Sequence, residues 1–207
     1  GYYNKDGDNN INIGINSGKN NESGNNNVHI GTKAGYKTTS ANASVFIGEN
    51  AGYEDDDGGY HVYVGDQAGR CMQGDSNVAI GRQAGRGSST PGDNSGTDNV
   101  SIGMYAGINL TSGSQNVLLG RNAGCDITSG GKNVVIGYNT QVASATGNGQ
   151  MVIGCNGSCW LSGDSSMNVT VNDISASNFN STSDIRLKTN IQPIGDPIGK
   201  VKQIEGV

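Results

Sequence analysis

The chain has 207 residues, among them 35 glycines, three prolines and one tryptophan, and it carries a net charge of −5. Large aliphatics and phenylalanine together make up roughly a fifth of the chain, the level at which a core comes into doubt. That composition argues against an aromatic-rich globular enzyme, and the low proline content argues against collagen. No apolar run approaches the length of roughly 18 residues that a membrane span needs. No Lys/Arg cluster offers a footprint for nucleic acid, so neither partner is expected.

Residues 1–10, opening Gly1-Tyr2-Tyr3, read as the lead-in of a truncated N-terminus. From residue 11 to 157 the chain repeats itself. The unit is Asn-Val-x-Ile-Gly-x-x-Ala-Gly, seen at Asn27–Gly35, Asn77–Gly85, Asn99–Gly107 and Asn116–Gly124. Variants start at Ser44, His61 and Asn133, and weaker ones at Asn10 and Gln150. The glycine after the aliphatic falls at 14, 31, 48, 65, 81, 103, 120, 137 and 154, a beat of 17 broken once by 16 and once by 22. Disordered sequence keeps no such count. The pattern predicts an all-β, elongated β-solenoid or triple-stranded repeat array of about nine units.

Within a unit the period is 2, which predicts a short strand with Val28, Ile30 and Ala34 on the core face and His29 and Lys33 on the other. Nearly half of the large apolar residues occupy the two aliphatic slots. One chain then has a thin core. Closing copies around a shared axis would bury the stripe and remove strand edges, so a homotrimer is expected. Asn50, Gln67, Gln83, Asn122 and Asn139 share one slot and predict an amide ladder.

The longest unit inserts Gly87 to Gly96, and a solenoid carries insertions on one face. Ser89, Thr90, Asp93 and Asn94 are the candidate receptor contacts there. Tyr36, Tyr53 and Tyr105 recur around Ala-Gly, either to stack on sugars or to cover the next rung. No metal or other cofactor is expected. The acidic loop Glu54–Gly59 and the stretch Asn4–Asn10 keep Ca²⁺ as the weaker alternative to solvated turns. Cys155 and Cys159 lack a nearby histidine, so zinc is not expected there.

Residues 158–182 read as a β neck, with Met167–Val171 alternating like a strand. Then comes Ser183-Asp184-Ile185-Arg186-Leu187-Lys188-Thr189-Asn190-Ile191, and Ile198, Val201 and Ile204 fall on one helical face beyond it.

The repeats resemble those of trimeric phage tail fibres and, more distantly, the heads of trimeric autotransporter adhesins. The Ser183–Ile191 stretch resembles the junction of the intramolecular chaperone domain that ends endosialidase-type tailspikes and tail fibres. The resemblance implies that residues 183–207 begin an α-helical chaperone, released by self-cleavage of the Thr182–Ser183 bond. Ser183 would be the nucleophile and Lys188 its base, with Asp184, Arg186 and Asn190 supporting the motif. Serine needs such a base, and lysine serves only when desolvation frees its lone pair. No external substrate is expected. The implied function is host attachment by a virion tail fibre, assembled in the host cytoplasm. Its partners would be two further copies, other tail proteins, and a host glycan or protein receptor. A trimeric cell-surface adhesin is the alternative, and a glycan-degrading tailspike ranks lower.

Overall fold

The computed structural model describes residues 3–56, 58–90, 93–166 and 168–171. The chaperone reading, the Thr182–Ser183 bond and the whole Ser183 motif lie outside the described residues.

The described chain is all-β. Eight three-residue strands follow the repeat in order: β1 (Ile11–Ile13), β2 (Val28–Ile30), β3 (Val45–Ile47), β4 (Val62–Val64), β5 (Val78–Ile80), β6 (Val100–Ile102), β7 (Val117–Leu119) and β8 (Val134–Ile136). Each pairs in parallel with the next, every slot on its equivalent: Ile11 on Val28, Val28 on Val45, and so on to Val117 on Val134. β9 (Met151–Cys155) joins as the ninth rung. The expected nine-unit β-solenoid is therefore what the chain forms. The insertion leaves the ladder untouched, since Val78 still pairs with Val100.

Then the direction reverses. Asn156 (φ 49°) and Gly157 (φ 79°) form a two-residue turn with both φ positive, the geometry that suits the twist of an antiparallel hairpin. β10 (Ser158–Gly163) returns along β9, and β11 (Val169–Val171) pairs with β10. The strand expected within 167–171 is present as β11.

The period-2 reading is right and Ala34 faces inward as expected, but within the strands the buried residue is the opposite one. The residue inside the coil is the middle of each strand: His29, Phe46, Tyr63, Ala79, Ser101, Leu118 and Val135 are at most 2% exposed. Val28, Ile30 and their equivalents point outward and are half-buried or exposed. The physical reason is width: the interior of a narrow coil holds one side chain per strand. Ala34, Ala51, Ala68, Ala84, Ala106 and Ala123, all at 0%, line the same interior. Where the strand residue is small, at Ala79 and Ser101, buried Met72 and Leu110 belong to the same core. This column also stacks: Phe46 lies 5.2 Å from His29 and 5.1 Å from Tyr63, ring centre to ring centre.

Two glycine columns make the coil possible. Gly31 has φ 132°, and a Cβ there would sit 2.5 Å from the Gly48 carbonyl oxygen on the next rung. Gly52 has φ 56°, and its Cβ would meet the Phe46 ring at 2.8 Å. Both positions combine a backbone that L-residues avoid with no room for a side chain.

The amide ladder exists, but in a different slot from the one expected. Asn139 makes one amide contact along its column, to Asn156 Oδ1 at 3.3 Å. What unites Asn50, Gln67, Gln83, Asn122 and Asn139 is a positive φ of 50° to 57°, which Asn tolerates better than most residues. The continuous ladder is the buried first residue of the unit. Asn77 Oδ1 accepts from Asn99 N–H, Asn99 Oδ1 from Asn116 N–H, and Asn116 Oδ1 from Asn133 N–H, each at 3.0 Å. Their Nδ2 groups donate across the coil, as Asn116 does to the Gly130 carbonyl at 2.9 Å. Each of these buried amides is thereby satisfied on both ends.

Candidate functional site: an outward aliphatic face

The outward slots form two aliphatic rows along the rungs. Parallel pairing puts equivalent residues side by side on one face, so Ile13, Ile30, Ile47, Val64, Ile80 and Ile102 make a continuous line. Exposure reaches 56% at Ile13 and 37% at both Ile80 and Ile102. Scattered exposed aliphatics are ordinary on protein surfaces, whereas a contiguous apolar strip marks an interaction site.

The rows do not stop at the hairpin. Ile136 pairs with Ile153, Ile153 with Leu161, and Leu161 with Val171. Met151 likewise pairs with Gly163, and Gly163 with Val169. Paired residues share a face, so the aliphatic strip crosses from the parallel to the antiparallel part without a break.

The insertion loop is built differently from the expectation. Ser89, Thr90 and Asp93 are exposed. Asn94, also expected at a receptor contact, is 2% exposed and instead holds the loop closed. Its Oδ1 accepts from Ser88 N–H at 2.7 Å and its Nδ2 donates to the Ser88 carbonyl at 2.8 Å. The loop lies against Cys71, whose thiol pKa burial pushes up. All four cysteines are free thiols.

The acidic loop turns its middle residue inward. Asp55 is fully buried, accepts from Gly58 N–H at 3.2 Å and places Oδ2 3.4 Å from His61 Nε2. Asn4 closes its own turn, accepting from Gly7 N–H at 2.9 Å and donating to the Gly7 carbonyl at 2.8 Å. Among the described residues no three His, Cys, Asp or Glu side chains are grouped to hold a metal ion. No helix among them is long and apolar enough to cross a membrane.

Tyr36 and Tyr53 stack on each other, 5.0 Å apart and 3° from parallel. Arg70 lies over Tyr53 and Lys19 over Tyr36, so neighbours along the column occupy the ring faces that a sugar would need. For these two tyrosines the rung-covering reading fits the geometry.

A concavity of about 200 Å³ between the last coil and the hairpin contains one carboxylate, Asp164, and one of about 280 Å³ at Ser112, Ser129 and Lys132 contains none. Glycoside hydrolysis needs two carboxylates flanking one bond. Asp66, on a rung adjacent to Glu49, lies 3.5 Å from the Arg82 guanidinium.

The fold and this face define a parallel β-solenoid with an outward apolar strip. No family model, no curated protein and no solved structure matches the chain.

Proposed function

We propose that the chain is a host-attachment segment of a phage-like tail fibre, trimeric through the outward Val/Ile face. The observation that carries this reading is the unbroken aliphatic strip on a coil whose interior is already filled. The strip runs along nine successive rungs, with Ile13, Ile80 and Ile102 at least 37% exposed on it. Because every rung repeats the same slots, the strip is complementary to a copy of itself. A second copy fits it better than an unrelated partner does.

The Ser183–Ile191 motif supplies the second support, by resemblance alone. On this reading Lys188 takes the Ser183 hydroxyl proton and Ser183 Oγ attacks the Thr182 carbonyl carbon in cis. The Thr182–Ser183 C–N bond breaks as the Ser183 nitrogen takes up the proton. Water then hydrolyses the resulting Thr182 ester to a Thr182 carboxylate and a free Ser183, and the chaperone is released once three chains are in place. Proximity within one chain replaces substrate binding. A thin core gives three chains little guidance before they stack, which is the task such a chaperone performs. Host recognition then falls to the exposed Ser89, Thr90 and Asp93, with the virion tail as location. Ca²⁺ has no assigned role.

The test is expression of the full-length precursor. Two bands are expected that merge in Ser183→Ala and in Lys188→Ala; two bands persisting in both variants remove the dyad. A cell-surface adhesin is the second reading, favoured by the repeat type and by the same face. It predicts no cleavage at residue 183.

A further inference from the structure

A periodic interface has a weakness: it fits itself in more than one register. Sliding one copy by a rung, ~4.8 Å, again sets an aliphatic or Met151 against each slot, and loses the contacts of the terminal rung alone. Ile11, Val64 and Leu119 are the only changes of aliphatic type along the rows. The insertion does not correct this, because Val78 and Val100 remain paired and the face passes it unchanged. Something aperiodic on the face must fix the register.

The hairpin contains such a feature. Between Cys159 and Leu161 the β9–β10 register shifts, so that Cys159 faces Gly154 and Leu161 faces Ile153 with Trp160 left over. A bulge of this kind sets two residues against one. Cys159 shares the inward side with buried Gly154, and it lines the inner concavity with Val152. Alternation then turns Trp160 to the opposite side, and the extra residue keeps Leu161 there too. Two large apolar residues thus stand side by side opposite Ile153, where every earlier rung has one. Trp160 is 58% exposed, and Val169 and Val171 beyond it are 59% and 40% exposed. It is the one tryptophan of the sequence, and tryptophan is among the residues that most often anchor interfaces.

We infer that Trp160, doubled with Leu161 at this bulge, sets the axial register in which copies of the chain associate through the Val/Ile face. The inference rests on the self-association proposed above, and its occupant is a second copy of the same chain. In register, each Trp160 packs beside the hairpin of its neighbour. After a slip of one rung, the bulge faces a regular strand that offers no matching recess.

The experiment places a photoreactive p-benzoylphenylalanine at exposed Thr32, on the rim of the face, and maps cross-links between copies by mass spectrometry. Sedimentation of the same sample comes first: a monomer there ends the reading of the previous subsection and this inference with it. In the oligomer, cross-links from position 32 are expected on one rung. In Trp160→Ala they spread to the neighbouring rungs on either side, and in Trp160→Phe they return to one. A Trp160→Ala oligomer that still cross-links to a single rung overturns the inference and leaves self-association standing. Cross-links confined to a co-purifying protein overturn it as well. Trp160 lies on the surface, so circular dichroism and the urea midpoint should match the parent.

Discussion

The imidazole Nδ1 of His61 accepts the backbone N–H of Asn77 at 3.2 Å, in the slot where Ser44 stands one rung earlier and Asn77 one rung later. Two rungs earlier Asn27 accepts from Ser44 N–H, and Ser44 Oγ accepts from His61 N–H. The column therefore runs unbroken, but one of its links is titratable. Nδ1 accepts only when His61 is neutral, with its proton on Nε2 toward Asp55. Tyr63 Oη, 3.2 Å from Nδ1, faces the same atom.

Acid should loosen this part of the coil first. Burial pulls His61 down to about 4 against an ordinary 6.5, with Asp75 opposing, and burial likewise pulls His29 to about 4. A lowered histidine pKa means that the unfolded chain binds the proton first. Stability is complete above pH 6.5, falls as the pH drops, and levels off below pH 4. The loss is on the order of 3 kcal/mol for each histidine. Urea midpoints at pH 7.5 and pH 4.5 measure it, and His61→Asn, restoring the amide of the column, should roughly halve the dependence, with His29 supplying the rest. Equal acid sensitivity in that variant would count against the assignment.

The buried ladder predicts a graded series at position 116. Asn116→Ala leaves the Asn133 N–H and the Gly130 carbonyl without partners inside the coil. A cost of about 2–4 kcal/mol follows from two orphaned groups. Asn116→Ser should cost less, because Ser44 fills this slot naturally. Chemical denaturation of both variants checks the order.

Glycine substitutions should divide by location. At Gly103, φ is 127° and a Cβ would stand 2.5 Å from the Gly120 carbonyl carbon. Both strain and collision apply, so Gly103→Ala should cost several kcal/mol or block folding. Gly157 has φ 79° but open space around it. Gly157→Ala should then cost only the ~1–2 kcal/mol of a left-handed backbone. Thermal melts of the two variants give the comparison.

Inward and outward aliphatics should fail in different ways. Leu118 is fully buried, and Leu118→Ala should lose about 2–5 kcal/mol from the coil itself. Ile102 is 37% exposed on the outer face. Ile102→Asn should leave the secondary structure intact and weaken association instead. Circular dichroism beside sedimentation separates the two effects.

The contrast between Leu118 and Ile102 also marks how far the sequence could be read. The 17-residue beat, the strand length and the place of each rung were legible, because Gly31 and its equivalents recur in fixed positions for steric reasons. Which parity faces inward was not. The regular Val and Ile looked like a core, while the true interior runs His29, Phe46, Tyr63, Ala79, Ser101, Leu118. That column varies in size because the same core also holds the buried Met72 and Leu110 from outside the strands. Phe46 and Tyr63 in the middle slot were the available signal. Asn94 misled for a similar reason: a polar residue in a loop insertion looks exposed until its side chain is seen tying the loop shut. The bulge at Trp160 left no mark in the pattern, since one extra residue is invisible without the partner strand.

The most direct test is sedimentation equilibrium of the chain beside an Ile80→Asp, Ile102→Asp variant. The outward face predicts a parent species of three times 21.2 kDa and a folded monomer for the variant. A parent that sediments as a 21.2 kDa monomer, or a variant that stays trimeric, would contradict the account.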